Sequence, residues 1–318
     1  MQPSSDLLAA VLEAVRIGQS AAIATRGPLG DYNRRVVRRC ILAVAAALLC
    51  GCGRLGFATV GGDDAPADGA LALGPYGAWG SAVDLSPLNS GGDDLAPTLS
   101  RDGLEIVFNS NRGGEYTLYT ATRTSRNASF GAPALIPVID PKTALEYDPQ
   151  LSLDGLELLY VSTEVPAGVR RLTRATPSSP WGPPTVVSEL ANREGPSLID
   201  DSRLIVALAD IGGIEEWARP KRPDPWSLVR THSALVGMSF AGVRSDGLEI
   251  FVTKVDSGKM YRATRATIDD QFGTPTRVSF DSALDTMEQY DADLDTTGHT
   301  MVLAYGTGQS HNLAIVNR

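Results

Sequence analysis

One phrase returns five times along this 318-residue chain, and its first statement is the clearest: Pro97-Thr-Leu-Ser-Arg-Asp-Gly-Leu-Glu-Ile-Val-Phe108. It recurs from Pro149 (PQLSLDGLELLY) and, eroded, from Pro196 (PSLIDDSRLIVA), Ala241 (AGVRSDGLEIFV) and Ala292 (ADLDTTGHTMVL), at steps of 52, 47, 45 and 51 residues. A period of that length, built from short strands and turns, predicts a β-propeller with one four-stranded blade per repeat. An Asp-Gly turn at Asp102-Gly103, Asp154-Gly155 and Asp246-Gly247 predicts a tight hairpin in each clear copy. The strand after it alternates, with Leu104, Ile106 and Phe108 on one face and Glu105, Val107 and Asn109 on the other. Both faces are fairly apolar, as a blade sandwiched between two neighbours requires.

Two further pieces complete the unit. An aromatic–Gly pair opens a short strand at Trp79-Gly80, Phe130-Gly131, Trp181-Gly182 and Phe272-Gly273, with Trp226-Ser227 standing in once. Another strand ends on a basic residue at Arg123, Arg265 and Arg318. The chain thus begins with an outermost strand that has no blade ahead of it and ends one strand short. Pairing the segment around Ala82–Leu85 with the last strand closes a ring of five and removes an unpaired edge. The expectation is an all-β, five-bladed propeller over 79–318, with six blades only if an eroded region conceals another.

The N-terminus reads as an address. The basic run Arg34-Arg35-Val36-Val37-Arg38-Arg39 precedes about a dozen apolar residues, Cys40 to Cys52, the order of a secretory signal peptide. That stretch is shorter than the roughly 20 residues of a spanning helix. Its end, Leu49-Cys50-Gly51-Cys52, resembles the bacterial lipobox, which implies that Cys52 carries the lipid and becomes the mature N-terminus. Residues 1–51 are then a signal region with a mis-called extension, the true start lying at Val36 or Val37, and 52–78, rich in Gly, Ala and Asp, a tether. All three cysteines lie at 40, 50 and 52, which excludes disulfides and cysteine-held metal from 79–318.

The pattern P-x-L-S-x-D-G-L-x-[IL]-x-F-x-S-x-R-x-G-G, complete in Pro97–Gly114, resembles the WD40-like propeller repeat of the periplasmic translocation protein TolB, shared by many bacterial lipoproteins. The resemblance covers residues 79–318. It implies a propeller held in the periplasm or at the cell surface, and it is specific for fold rather than activity.

No catalytic constellation stands out. His232, His299 and His311 fall in different repeats with no partner at metal-ligand spacing. Gly237-Met-Ser-Phe-Ala241 misplaces the second glycine of a nucleophile elbow. Asp291-Ala-Asp293-Leu-Asp295 lacks the sixth-position Gly and twelfth-position Glu of a calcium loop, and its alternation places three carboxylates on one side of an extended segment, at best a weak cation site. No cofactor or resident metal is expected. A net charge of −9 speaks against nucleic acid as partner. Acids do recur before the inner strands (Asp93 and Asp94, Glu146 and Asp148, Glu194, Glu288 and Asp291), where loops bearing Arg112 and Asp210 should meet them at one mouth of the channel. Asp94, Arg112, Glu146, Glu194 and Glu288 are therefore the candidate ligand-binding residues, against the alternative that they fasten blades through backbone N–H groups. The function expected is a monomeric, lipid-anchored binding or scaffold module for a protein, peptide or cell-wall partner. The rival is a glycoside hydrolase or carbohydrate-binding protein. Hydrolysis calls for two carboxylates flanking the scissile bond, usually on different inner strands, and Leu95–Ser100, Pro196–Ile199 and Phe240–Val243 carry none.

Overall fold

The computed structural model describes residues 78–139, 144–208, 212–308 and 310–318. Cys52, the signal region, the tether and Asp210 lie outside the described residues. Five antiparallel four-stranded sheets make a five-bladed β-propeller. Blade 1 comprises β2 (Asp94–Leu99), β3 (Glu105–Ser110), β4 (Thr117–Thr122) and β5 (Ala134–Leu135). Blade 2 is β6 (Glu146–Leu151), β7 (Glu157–Ser162), β8 (Gly168–Thr173) and β9 (Thr185–Ala191). In blade 3 the strands are β10 (Arg193–Leu198), β11 (Arg203–Leu208), β12 (Ile214–Ala218) and β13 (Ser227–His232). Blade 4 holds β14 (Met238–Val243), β15 (Glu249–Lys254), β16 (Lys259–Thr264) and β17 (Thr276–Arg277). Blade 5 is β18 (Glu288–Leu294), β19 (Thr300–Thr307) and β20 (Ser310–Asn317), completed by β1 (Val83–Asp84) from the other end of the propeller sequence. Val83 pairs with Ile315 and Asp84 with Ala314, so the ring closes as the sequence predicts.

Strand alternation is what joins the blades. Along β3, Ile106 and Phe108 face blade 5 while Val107 faces blade 2. β7 sends Leu158 and Tyr160 toward blade 1 and Leu159 toward blade 3. The same division along β11, β15 and β19 produces one apolar core in each seam. A period of two, with both phases apolar, thus builds a ring instead of an open sheet.

Each conserved-looking word of the repeat has a fastening role on the face that carries the hairpins. The arginine after the third strand donates from Nε to its own blade's hairpin carbonyl: Arg123 to Gly103, Arg174 to Gly155 and Arg265 to Gly247 at 2.6 Å, Arg219 to Asp201 and Arg318 to Gly298 at 2.7 Å. Its guanidinium lies over the aromatic that opens the outer strand: Phe130, Trp181, Trp226, Phe272 and Trp79, at 4.1–4.5 Å. It then reaches across the seam to a carboxylate of the preceding blade: Arg174 to Glu105 (2.6 Å), Arg219 to Glu157 (2.5 Å), Arg265 to Glu216 (2.7 Å) and Arg318 to Glu249 (2.5 Å). Bidentate guanidinium–carboxylate pairs of this kind fix orientation as well as adding energy.

Blade 3, the eroded copy, keeps this staple by exchanging charges. Blades 2 and 4 carry Glu157 and Glu249 on the second strand with Arg171 and Arg262 on the third. Blade 3 reverses them, Arg203 on β11 meeting Glu216 on β12 at 2.9 Å. Glu216 still serves Arg265. Burial would raise its pKa, but His232, Arg265 and Arg203 overcome that and bring it down to about 2.

Candidate functional site

The five inner strands β2, β6, β10, β14 and β18 share one deviation. Each slips register by a bulge, and the residue at the slip has a left-handed φ: Ala96 (49°), Asp148 (48°), Gly195 (51°), Phe240 (49°) and Asp291 (50°). This explains the repeat's proline. Pro97, Pro149 and Pro196 follow the slip, where the ladder is already interrupted and no donor is lost. The bulges line the central channel, whose cavity of ≈ 30 Å³ has room for a water molecule and none for a sugar ring.

Side chains in the channel tie one blade to the next. The Gly195 N–H donates to Asp148 at 3.1 Å, and the Ala96 N–H donates to Asp291. One layer deeper, Leu151 N–H meets Thr98 Oγ1 (3.2 Å), Val243 N–H meets Ser197 Oγ (3.1 Å), and Leu99 N–H meets Asp293 Oδ2 (2.9 Å). In blade 4 the corresponding residue is Gly242, where a Cβ would stand 2.1 Å from the Ala292 carbonyl oxygen. Burial raises the pKa values of Asp148 and Asp291, and the Asp148 charge raises that of Asp291 further. Burial likewise brings Asp293 up to about 6. Each acid of the Asp291, Asp293 and Asp295 row meets blade 1 but is already engaged: Asp291 by the Ala96 N–H, Asp293 by the Leu99 N–H, and Asp295 by Arg126 at 3.5 Å. Asp295 also caps its own blade's hairpin, accepting from Thr297 Oγ1 (2.9 Å) and the His299 and Thr300 N–H groups (3.1 Å each). Among the described residues no group of three or more His, Cys, Asp or Glu is placed to hold a metal.

The inner strands run in one direction, so their first residues meet at a single mouth. There Asp94 is fully buried, held by Arg112 (2.5 Å) and the Ser90 N–H (2.6 Å). Arg112 in turn donates to the Leu88 carbonyl and lies over Phe108 and Tyr119, at 5.0 and 4.9 Å. Glu146 is buried as well. Ser162 Oγ donates to its Oε1 at 3.1 Å, Oε2 has no hydrogen-bond partner among the described residues, and burial pushes its pKa up to about 7. Glu194, on β10 opposite Ala207, is half-buried. Glu288 is also half-buried, its side chain 39% accessible. Of the five candidates, the structure joins Asp94 to Arg112 directly. Glu146, Glu194 and Glu288 stand on separate blades.

Sequence reading missed a buried chain of polar groups beside Glu288. Asp93 accepts from Tyr116 Oη (2.5 Å) and the His311 N–H (3.1 Å), and lies 2.8 Å from His311 Nδ1. His311 Nε2 is 3.5 Å from Glu288 Oε2. Although burial opposes it, hydrogen bonds from His311 and Tyr116 hold Asp93 below the usual carboxylate range. Nothing in the sequence announces a pair 218 residues apart that forms only when the ring closes. Three half-buried aromatics, Tyr147, Phe240 and Tyr290, complete the rim, Phe240 edge-on to Tyr290 at 6.0 Å. Their proximity to the bulges explains their placement. The mouth can therefore offer carboxylates and aromatic faces together, the complement of a cationic or polyhydroxylated group.

No family model matches the sequence. No curated protein matches it either. Solved structures do share its fold. The catalytic domain of the Coprinopsis cinerea GH62 α-L-arabinofuranosidase is 12% identical, with a TM-score of 0.52 over 76% of this chain and 97% of that one. A glycosyl hydrolase from Bacteroides ovatus is 12% identical, with a TM-score of 0.51 over 76% and 93%. A putative TolB from Agrobacterium tumefaciens is 15% identical, with a TM-score of 0.45 over 73% and 80%. At these identities the likeness is one of fold.

Proposed function

We propose that the protein is a non-catalytic binding propeller, exported and anchored through a lipid on Cys52, which captures a peptide, protein or cell-wall component bearing a cationic group at the channel mouth. The carrying observation is the contrast between a mouth rimmed by Glu194, Glu288, Tyr147, Phe240 and Tyr290 and a cavity of only ≈ 30 Å³ between the bulges beneath it. A ligand on that rim meets groups from four blades without entering the ring. Among the described residues no helix is long and apolar enough to cross a membrane. The test is binding of immobilised protein to panels of cationic peptides and cell-wall fragments. Glu194→Gln with Glu288→Gln should weaken capture, and unchanged capture would contradict this reading. Anchoring is tested separately: Cys52→Ser should release the protein from membranes.

A second reading is favoured by one observation. Asp148 and Asp291 stand on different inner strands of the channel with raised pKa values, as an acid–base pair on a glycan would require. The structures it resembles in fold include glycoside hydrolases. Against it, each carboxylate accepts the next blade's bulge N–H, and the cavity between the bulges is too small for a sugar. Turnover on a polysaccharide panel, lost in Asp148→Asn or Asp291→Asn, would establish hydrolysis in place of capture.

A further inference from the structure

Four of the five seams are closed by the same guanidinium–carboxylate pair, and the fifth lacks its carboxylate. Arg123 of blade 1 is prepared like the other four, with Nε on the Gly103 carbonyl at 2.6 Å and its plane 4.5 Å from Phe130. Across the seam, in blade 5, the position of Glu105, Glu157 and Glu249 is occupied by Thr300, whose hydroxyl donates to Asn317 Oδ1 at 2.9 Å. Blade 5 does not compensate as blade 3 does. The third-strand position of Glu216 is Ile315 there, a partner of β1.

Among the described residues Arg123 has no ion pair. Its pKa is lowered by burial and by the adjacent guanidinium of Arg126. Arg126 is half-exposed and reaches Asp295 of blade 5 at 3.5 Å. Asp102, the other nearby acid, is turned into its own hairpin, accepting from Ser100 Oγ (2.6 Å) and the Leu104 N–H (2.9 Å). The guanidinium of Arg123 therefore lacks the Glu side chain that meets its counterpart at every other seam. Arg123 and Thr300 are both only half-buried, so both are within reach of solvent.

We propose that the seam between the first and last blades is a carboxylate-binding site, with Arg123 as the bidentate anchor and Arg126 flanking it. The ligand class is a carboxylate small enough to stand where a glutamate head would, supplied by an organic acid or by the terminus of a peptide. Planar, two-oxygen recognition is what a fixed guanidinium selects. The site lies on the hairpin face, at the opposite end of the channel from the rim proposed above, and is independent of it.

The experiment is a melting-temperature series on the full chain in sodium acetate against sodium chloride at constant ionic strength. A parallel arm uses a short acetylated peptide with a free or an amidated C-terminus. Acetate also stabilises proteins in general by exclusion from their surface, so the informative quantity is the difference between wild type and Thr300→Glu, in which the missing carboxylate is supplied covalently. The expected result is a carboxylate-dependent rise of about 2–4 °C in wild type, absent from Thr300→Glu, whose melting temperature is already raised without acetate. Thr300→Gln, alike in shape but neutral, should keep the acetate response. A response to acetate alone assigns the site to a small acid, and one to the free-terminus peptide alone assigns it to a peptide. Equal acetate responses in wild type and Thr300→Glu would overturn the proposal. Should Thr300→Glu fail to fold, calorimetric titration of wild type and Arg123→Gln with acetate decides it, since a site anchored by Arg123 releases heat only in wild type and equal traces overturn the proposal.

Discussion

The two faces of the ring are built on different rules. On the hairpin face, one arrangement is executed five times: hairpin carbonyl, arginine, aromatic ring and, at four seams, a carboxylate of the preceding blade. At the mouth, by contrast, the first residues of the inner strands do five different things. Asp94 is locked to Arg112, Glu146 is buried with one oxygen lacking a hydrogen-bond partner among the described residues, Arg193 pairs with Glu215 at 3.0 Å, Met238 is apolar, and Glu288 leans on His311. Recurrence marks what holds the ring. Divergence at the mouth shows no shared fastening arrangement.

The comparison breaks first at the closing strand, where the largest effect is expected. Removing 79–88 deletes β1, opens the edge of β20, takes Leu85 and Leu88 from the core between blades 5 and 1, and strips Trp79 from the core between blades 4 and 5. Loss of cooperative unfolding, read by circular dichroism on heating, is the expected outcome. A melting curve like that of the intact chain would show that the closure contributes nothing.

Next come the staples. Arg219 and Glu157 are both fully buried. Arg219→Ala leaves the Glu157 charge without its closest partner and should cost about 3–5 kcal/mol of unfolding free energy. Arg222, 3.3 Å from Glu157 and 19% exposed, can take up part of that charge, which places the expectation at the lower end. A denaturant midpoint within error of wild type would remove the staple from the account.

Acid and base separate the hairpin face from the channel. Glu216 has a lowered pKa, so its contribution is present above the ordinary glutamate range and is lost as the pH falls toward about 2. Asp293, raised to about 6, has the opposite sign. Its contribution is complete below the ordinary aspartate range and is lost as the pH climbs from about 4 to about 6. Asp148 and Asp291, also raised, follow Asp293 in direction. Asp148→Asn and Asp291→Asn keep an acceptor for the neighbouring N–H and remove the charge. Each should raise the melting temperature at pH 7 by about 2–4 °C and have no effect near pH 3. A lower melting temperature at pH 7 would mean that these carboxylates gain more as anions than the pairing described here allows.

Much of this plan is legible in the sequence because the features that repeat are local. Asp-Gly turns, aromatic–Gly pairs and two-phase apolar strands each report on a few neighbouring residues, and their period gives the number of blades. Even the ring closure follows from counting strands. What could not be read are pairings made across seams. The charge exchange between Arg203 and Glu216 looks like erosion until Arg265 is seen to need a carboxylate from either strand. Asp94 and Glu146 read as a charged rim, because sequence gives the residue type and not the neighbour that buries it. The proline of the repeat has no stated reason in the sequence, and only the left-handed residue before it shows why a strand facing the channel tolerates it.

The smallest structural effect is expected at the rim, and it carries the central claim that one face holds the ring while the other binds. The decisive measurement sets two double variants side by side, Glu194→Gln with Glu288→Gln and Glu105→Gln with Glu157→Gln, each assayed for melting temperature and for capture of the tightest cationic ligand found on the panels. The account predicts that the rim pair melts within about 1–2 °C of wild type and loses capture, while the staple pair melts well below wild type and its folded fraction still captures. A rim pair that melts early and retains capture would contradict it.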